Sequence, residues 1–488
     1  MLFSSQVFVL AFLPVCLAGW RVFHSSRLRR LWALPFLIVA SLVFYAWWRT
    51  ELVLLLVGSV GANYALGQRI RHLARGGSDT AARRWLAAGI AANLLLLGWF
   101  KYADFAARTV GLTPPGVALP LAISFFTFQQ IMFLAESRRD ARGNFGLVPY
   151  AAFVTFFPHL IAGPIVRPSE IIPQFASAPS RRLDAEALSS GLTLFLIGLA
   201  KKLVLADTFA PLANVGFDAA AQGASLTFVE AWVAVLAFAL QIYFDFSGYS
   251  DMAIGLARMF GIRFPVNFNA PYQAASIAEF WHRWHITLSA FLRDYVYIPL
   301  GGNRRGPARQ HVNLMATMLL GGLWHGAAWT FVAWGGLHGA YLVAHRLWSR
   351  HVRFALPHAA CRAMTLLAVL IAWVPFRAAG ADASLRMLRG MAGLDGIALP
   401  QLFVDAFPLL TRVATPVPVL LHLGDARTLA LPEAAACLLL GWAIVLLLPP
   451  VQDWSERVRA WSLSGSFAFS AQALFFAPHM TPFLYFRF

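Results

Sequence analysis

The sequence predicts an all-α polytopic membrane protein, and three observations carry this prediction. Of the 488 residues, 59% are hydrophobic and only 12% are charged, whereas soluble domains carry about 25% charged residues. The mean hydropathy is +0.64. Apolar stretches are spread from one end of the chain to the other, which favours a single membrane domain over residues 1–488 instead of the soluble domains that the length alone would suggest.

Candidate membrane segments follow one another along the whole chain. A helix that spans the hydrocarbon layer needs about 20 apolar residues. Several candidates are shorter, so some should be tilted, broken or re-entrant, and we expect about 11 to 13 membrane helices. The candidates lie near residues 3–20, 31–48, 50–67, 85–100, 116–136, 147–162, 188–206, 226–246, 312–334, 335–349, 363–377, 434–449 and 469–486.

The positive charge is concentrated between the apolar segments. The net charge is +17, from 39 Lys and Arg against 22 Asp and Glu. Arginines cluster at residues 21–30, 67–84 and 137–146, which we interpret as cytoplasmic loops. This orientation places the amino terminus on the outer, non-cytoplasmic side of the membrane. The aromatic residues lie within the apolar runs and not among these loops, so a nucleic acid is not expected as a partner.

Two polar stretches, residues 163–187 and 263–311, interrupt the apolar pattern. The prolines of the first forbid a long helix. In residues 263–311, arginines alternate with aromatic and aliphatic residues from Ile277 to Leu300. This mixture is typical of helices that lie in the membrane interface, here on the cytoplasmic side. Residues 378–433 are rich in Ala, Leu and Pro, and we interpret them as a loose connection.

His325 is the clearest candidate for chemistry. It lies in LLGGLWHGAAWTF, and no other titratable side chain occurs between His311 and His338. An ionisable group at membrane depth is expensive, and it is a functional hypothesis by default. The glycines beside His325 permit close backbone approach or unwinding around a cavity. We therefore expect this ring to face a pore, a cleft or a reacting group, and not lipid.

The other histidines are weaker candidates. In EFWHRWHITLS, His282 and His285 are three residues apart and would share a helix face. A metal site is not predicted, because no cysteine and no HExxH motif accompanies them. We interpret His282 as an interface residue and expect His285 to be buried. His338 should lie on a different helix face from His325, about 220° away, and pack structurally.

Charged residues near the apolar runs have structural interpretations. Asp245 and Asp251 bracket FSGYS, where we expect a helix break that they cap or where they pair with nearby arginines. Lys201 and Lys202 end an apolar run and should extend their amines to the membrane surface. The three cysteines lack disulfide or metal spacing.

A lone histidine at membrane depth permits two kinds of function. As a neutral imidazole it can take a proton from a hydroxyl or a thiol during acyl transfer. It could equally relay protons in a proton-coupled transporter or a polysaccharide flippase. Transporters usually have repeated halves and several buried carboxylates, and neither is evident here. A soluble type of acyltransferase is not indicated, because the chain has no G-x-S-x-G motif.

Residues 1–349 resemble the membrane-bound O-acyltransferase (MBOAT) family, in the branch that contains the membrane subunit of bacterial alginate O-acetylation. The remainder, residues 350–488, resembles it only in hydropathy. The stretches that carry the resemblance are FYAWWR (44–49), FKYADF (100–105), FPHLIAGPIVRPSEIIPQF (157–175), KKLVLADT (201–208), YFDFSGYSDMAIGL (243–256), NFNAPY (267–272), EFWHRWHITLSAFLRDYVYIPLGGNRRG (279–306) and LLGGLWHGAAWTF (319–331).

The resemblance implies a fold, a reaction and partners. The fold is a ring of helices around a central funnel. The family's active histidine falls on His325 and its second motif histidine on His285, so these are the candidate catalytic residues. Such proteins take an acyl group from a cytoplasmic thioester, here acetyl-CoA, and pass it outward through the membrane. In the polysaccharide branch, an extracytoplasmic partner with a serine-hydrolase-like site completes the transfer within a polysaccharide biosynthesis complex.

Two further questions follow from the resemblance. Arg293, Arg304 and Arg305 are weak candidates for binding the phosphates of CoA, because a basic stretch at a membrane surface is commonly a positive-inside loop. A lipid or protein O-acyltransferase of the same family is the alternative. A narrow donor tunnel would favour acetyl groups and a long apolar tunnel would favour fatty acyl groups.

Overall fold

The structure is a computed structural model. It describes residues 1–24, 29–140, 143, 145–178, 184–352, 354–406, 414–417, 431–454, 465–468, 470, 472, 474 and 483–484. Helices dominate these residues, so the predicted all-α class is confirmed. The two strands found among them are short: β1 (Ala398–Pro400) pairs in parallel with β2 (Thr415–Val417).

Twenty α-helices occur in the part of the chain that the structure describes. They are α1 (Leu13–His24), α2 (Ala33–Ala46), α3 (Leu52–Arg75), α4 (Asp79–Leu97), α5 (Ala103–Thr109), α6 (Ile123–Arg139), α7 (Leu147–Thr155), α8 (Phe157–Leu160), α9 (Pro168–Ser177), α10 (Ala185–Ala200), α11 (Asp207–Ala221), α12 (Phe228–Met259), α13 (Ile277–Arg283), α14 (Ile286–Leu292), α15 (Pro307–His325), α16 (Trp329–His351), α17 (His358–Arg377), α18 (Ala381–Met391), α19 (Gln401–Ala406) and α20 (Leu431–Leu447).

Four helical stretches among the described residues are long and apolar enough to cross a membrane. They are Asp79–Thr109, Ala185–Ala221, Phe228–Met259 and His358–Arg377. The first two continue through π-helical turns, at Gly98–Tyr102 and Lys201–Ala206. Shorter apolar helices cover Phe8–His24, Ala33–Ala46 and Ala434–Leu447. The chain is therefore a membrane protein with several spans, and the count of about 11 to 13 membrane helices stays a prediction.

The chain divides into two compact units. The first comprises Met1–Leu199, Tyr249–Val266 and Ala460–Ala477, and the second comprises Ala200–Gly248, Asn267–Arg459 and Pro478–Phe488. The expected single domain over residues 1–488 stays a prediction. Both candidate catalytic histidines belong to the second unit, which is therefore the one that holds the candidate site.

An aromatic core holds the first unit together. The ring of Phe8 lies 4.9 Å from that of Phe3, 5.9 Å from that of Phe44 and 6.0 Å from that of Phe157, between centroids. Aromatic pairs at such separations add about 0.5–1.5 kcal/mol each beyond the area that they bury.

The basic stretch at residues 67–84 is not the loop that the sequence suggested. Helix α3 continues to Arg75 and α4 begins at Asp79, so only three residues separate the two helices. Arg71 is 2% exposed, donates to the Ser137 hydroxyl and lies over the Phe145 ring. A charge count along the sequence cannot distinguish such a buried guanidinium from one in a solvated loop.

The expected helix break at FSGYS is wrong. Helix α12 runs without interruption from Phe228 to Met259. The Asp245 side chain is 3% exposed, and its Oδ1 lies 2.7 Å from the Lys202 amine. Because the carboxylate meets a buried cation, the helix accommodates it without unwinding.

Lys202 is also not at the membrane surface, contrary to the sequence interpretation. Its side chain is 2% exposed. The amine lies 2.7 Å from Asp245 Oδ1 and 2.9 Å from Asp207 Oδ1, so one cation bridges two carboxylates. These three side chains are called the buried charge triad below. No local pattern predicts the triad, because Lys202 and Asp245 are 43 positions apart.

Helices α15 and α16 form a tight hairpin around small residues. Gly322 of α15 and Gly335 of α16 face the partner helix so closely that a methyl group at either would collide with backbone atoms. A methyl group on Gly322 would collide with the Phe331 carbonyl oxygen, and one on Gly335 would collide with the Met318 carbonyl oxygen. The close approach of α15 and α16 therefore requires glycine, which has no side chain, at both positions.

A substitution of Gly335 by alanine is expected to destabilise the second unit. The added methyl group must push α16 away from the α15 backbone, and overpacking of this kind typically removes about 1–3 kcal/mol of stability. Thermal unfolding of the purified protein in detergent measures the change. Gly336→Ala is the matched control, because its methyl group would meet only the Leu319 side chain at 3.7 Å. Equal unfolding temperatures for the two variants would contradict the close packing.

Candidate active site

His325 is the last residue of α15, and the local sequence explains why the helix ends there. The next residue, Gly326, has extended backbone angles of φ −162° and ψ 148°. A side chain at position 326 would collide with the Phe331 ring. The chain is extended again at Ala328 before α16 begins at Trp329. The candidate base therefore sits at a helix end, at the turn of the α15–α16 hairpin.

Aromatic rings surround the His325 imidazole edge to face. Between ring centroids, Trp324 lies 4.9 Å away, Trp334 5.0 Å and Phe376 5.2 Å. His325 is 4% exposed. Its ring lines a small cavity, and the expectation that it does not face lipid stays a prediction. The other lining residues are Ile242, Phe246, Trp284, Trp334, Trp373, Phe376 and Leu484.

The cavity is small and apolar. About 20 Å³ of it is open to the centre of a water-sized sphere. One water needs roughly 10–15 Å³ by this measure, so the cavity has room for a group of one or a few heavy atoms. Among the side chains that line it in the described residues, His325 is the titratable one. It is therefore the described lining side chain that carries a group able to exchange a proton.

His285 lies next to this cavity, at an unusual backbone position. It joins α13 and α14 with φ 44° and ψ 53°, in the left-handed region. A non-glycine residue held in a sparsely populated region costs of order 1–3 kcal/mol and is more frequent at functional sites. The imidazole is 0% exposed, and its centroid lies 6.5 Å from that of His325. Residues 40 positions apart in the sequence thus meet in one site.

Asn267 fixes the orientation of His285. The Asn267 Oδ1 atom lies 3.1 Å from His285 Nδ1, and it also accepts hydrogen bonds from the Thr287 amide at 3.3 Å and hydroxyl at 2.9 Å. An amide oxygen is an acceptor, so Nδ1 carries the proton. Among the described residues, the His285 Nε2 atom has no hydrogen-bond partner. It is therefore a buried acceptor available to a reacting group.

Burial also sets the charge of His285. It lowers the pKa of this imidazole to about 3, because the charged form loses its hydration. The ring is consequently neutral at physiological pH. A neutral ring of fixed tautomer can accept a hydrogen bond or shape the pocket beside His325, and it does not add a second positive charge there.

The expected shared face of His282 and His285 is wrong. Helix α13 ends at Arg283, so the two histidines do not follow one helix. His282 is exposed, in agreement with its interpretation as an interface residue. Glu279 and Arg283 form an ion pair within α13, with 2.8 Å between Oε1 and the guanidinium. The stretch from Ile277 to Leu300 contains the short helices α13 and α14, and its position in the membrane interface stays a prediction.

His338 is also closer to His325 than the sequence suggested. The angle of about 220° assumed one straight helix, but the chain breaks between α15 and α16. The rings of His325 and His338 contact the same Trp334 side chain, at 5.0 and 4.8 Å between centroids. His338 is fully buried and packs between Trp281 and Trp334, as its structural interpretation requires.

The three candidate arginines for CoA lie outside this cavity. Arg293 is exposed and pairs with Asp294 at 2.7 Å. Arg304 and Arg305 are exposed in the turn that precedes α15. No group of three or more His, Cys, Asp or Glu side chains suited to a metal ion occurs in the described part of the chain.

Sequence reasoning missed the residues that complete the site. Trp334, Phe376 and Leu484 line the cavity with His325, and Asn267 orients His285. Asn267 lies within the quoted stretch NFNAPY, but nothing in the stretch indicated what its amide would contact. Aromatic residues are so frequent in this chain that no spacing identified the ones that surround His325.

Comparison with known proteins identifies a family and several relatives. The family model for the membrane-bound O-acyltransferase family matches residues 99–381, which include His285 and His325. The chain is 42% identical to the peptidoglycan O-acetyltransferase of Helicobacter pylori, over 85% of this chain and 84% of the relative. It is 44% identical to a probable alginate O-acetylase of Pseudomonas aeruginosa, over 80% and 75%. A teichoic acid D-alanyltransferase of Streptococcus thermophilus is 31% identical over 47% of this chain and 57% of the relative.

The matched segment is more than half of the chain, and two of these relatives are aligned over most of its length. The resemblance seen in the sequence is therefore confirmed, and it extends to an enzymatic activity. The chain belongs to the membrane-bound O-acyltransferase family and is an O-acyltransferase.

Proposed function

We propose that this protein takes acetyl groups from cytoplasmic acetyl-CoA and passes them across the membrane for O-acetylation of an extracytoplasmic polysaccharide. The observation that carries the proposal is the position of His325, at a helix end on a small cavity bounded by aromatic rings. The names of the relatives support polysaccharide O-acetylation, with peptidoglycan and alginate as two acceptors of the same chemical kind.

His325 is proposed as the general base. A hydroxyl oxygen attacks the thioester carbonyl carbon, the C–S bond breaks and a C–O bond forms. The hydroxyl proton passes to the His325 imidazole, which returns it to the departing CoA thiolate, so the ring ends the cycle as it began. Transient acylation of His325 itself is the other route to the same products. His285 supports the reaction as a neutral neighbour.

The size of the cavity supports acetyl as the transferred group. A space of about 20 Å³ suits a group with two carbons. A fatty acyl chain needs a long apolar tunnel beside the reacting carbon. This argument favours the acetyltransferase over a lipid or protein acyltransferase of the same family.

The second part of the proposal concerns where acetyl-CoA binds and how the protein is oriented in the membrane. Arg304 and Arg305 are exposed and basic, and we propose them as contacts for the CoA phosphates. Arg293 is the weaker candidate, because Asp294 already occupies its guanidinium. With these arginines on the cytoplasmic side, the amino terminus lies in the periplasm and the protein lies in a bacterial inner membrane.

The acceptor side requires a partner. We propose that an extracytoplasmic acetyltransferase with a serine-hydrolase-like site receives the acetyl group and places it on sugar hydroxyls. The support is the resemblance to the polysaccharide-modifying branch of the family, in which the membrane subunit works within a polysaccharide biosynthesis complex.

Inside-out membrane vesicles from a bacterium that carries the pathway test the proposal. Acetyl-CoA labelled in the acetyl group is added to the outer, cytoplasmic face. The expected result is release of free CoA outside and alkali-labile label on polymer inside, at least tenfold above vesicles that lack this chain. Palmitoyl-CoA should give no transfer. Movement of polysaccharide without consumption of the thioester would contradict the proposal and indicate a transporter or flippase.

A further inference from the structure

Leu484 forms part of the cavity wall, although it is 159 positions from His325 in the sequence. It is 5% exposed and lines the same cavity as the imidazole. Apart from Leu484 and Ile242, the described wall consists of aromatic rings and His325. An aliphatic side chain is the easiest of these to shorten without removing a ring from the site.

The buried charge triad holds Leu484 in place. The backbone N–H of Leu484 donates to Asp245 Oδ2 at 3.0 Å, while Asp245 Oδ1 lies 2.7 Å from the Lys202 amine. The same amine lies 5.1 Å from the centroid of the neighbouring Phe483 ring, within cation–π range. Two adjacent residues of this segment are thus attached to one ion pair.

The anchor and the wall belong to the same face of α12. Ile242 and Phe246, which line the cavity, are four residues apart, and Asp245 lies three residues after Ile242. A shift of the Asp245 carboxylate would therefore move Leu484 relative to Ile242 and Phe246, the two wall residues that share α12 with Asp245. The backbone of Leu484 is held at the cavity by a charge-assisted hydrogen bond, which is stronger than one between neutral groups.

We propose that Leu484 limits the length of the acyl group, and that Asp245 and Lys202 are positioning residues that hold it at the cavity. This inference rests on the proposed acetyl transfer and adds to it the residue that excludes longer acyl groups. Propionyl and butyryl groups exceed acetyl by one and two methylenes. Discrimination by one methylene in an apolar pocket is typically about 10- to 200-fold.

Competition among acetyl-, propionyl- and butyryl-CoA in the vesicle assay tests this inference. The wild-type protein should prefer acetyl. Leu484→Ala should raise the propionyl-to-acetyl ratio about tenfold or more, because the cavity gains the volume that the longer group needs. Leu212→Ala is the matched control: Leu212 is 3% exposed in the same unit and does not line the cavity. If Leu484→Ala does not accumulate, Leu484→Val provides the same comparison with a loss of one carbon.

The possible results are distinguishable. An unchanged ratio in both Leu484 variants, with acetyl transfer by the wild type intact, would overturn the inference and leave the proposed function standing. No transfer from any donor by the wild type would instead overturn the proposed function.

Asp245→Ala tests the positioning role. Lys202 keeps Asp207 as a partner in this variant, so its amine is not left alone. The expected result is a rise in the propionyl-to-acetyl ratio, with no further rise when Leu484→Ala is added. An equal loss of transfer from all donors, with the ratio unchanged, would overturn the positioning role.

Discussion

Replacing His325 with alanine is expected to abolish acetyl transfer while the protein still inserts into the membrane. The imidazole is the titratable group among the described residues that line the cavity, so nothing else there can accept the hydroxyl proton. Loss of a general base typically lowers the rate about 10²- to 10⁴-fold. The measurement is the acetyl content of the polymer in cells, together with CoA release in vesicles.

The design of this test separates chemistry from folding. His325→Gln retains most of the side-chain volume and should lose activity equally, because an amide does not act as a base at neutral pH. His282→Ala is the control, since this exposed histidine lies close in sequence to the site but not in the cavity. Near-normal acetylation in both His325 variants, at equal protein levels, would remove the catalytic assignment.

Replacing Lys202 with methionine is expected to produce the largest loss of stability. Methionine has a similar length, but it leaves Asp245 and Asp207 without the cation that bridges them. Breaking a buried ion pair by removing one partner typically lowers the free energy of unfolding by about 3–5 kcal/mol. The expected result is poor accumulation in membranes and a lower unfolding temperature in detergent.

The neighbouring lysine offers a control. Lys201 precedes Lys202 in the same π-helical turn and is only half-buried, so Lys201→Met should have a small effect. Lys202→Arg keeps the charge, so its loss of stability should lie between those of Lys202→Met and Lys201→Met. A Lys202→Met protein that accumulates and unfolds like the wild type would show that the triad does not stabilise the fold.

The class of fold could be predicted because it depends on composition. In apolar runs of membrane length the backbone N–H and C=O groups have no water to bind, so they must bond to each other, as they do in a helix. The positions of helix ends were less predictable. Hydropathy continues through residues 312–349 without a signal, so the true break at Gly326 was placed about nine residues too late. Only the collision of a side chain at position 326 with Phe331 reveals it.

The candidate site could be predicted one residue at a time, but not as an assembly. His325 could be predicted because an ionisable side chain in an apolar membrane segment is costly and usually has a function. Its contact with His285 and the ion pair between Lys202 and Asp245 are long-range, and a single sequence carries no information on such pairs. For the same reason Lys202 was wrongly assigned to the membrane surface, and a helix break was wrongly expected near Asp245.

The left-handed backbone of His285 complicates an alanine scan. Alanine at this position would remove the ring, and it would also have to adopt left-handed backbone angles that are unfavourable for a residue with a Cβ atom. Loss of activity in that variant would mix two causes. Asparagine is several-fold enriched in this region, so His285→Asn changes the imidazole with little change in backbone preference, and the difference between the two variants isolates the contribution of the chain conformation.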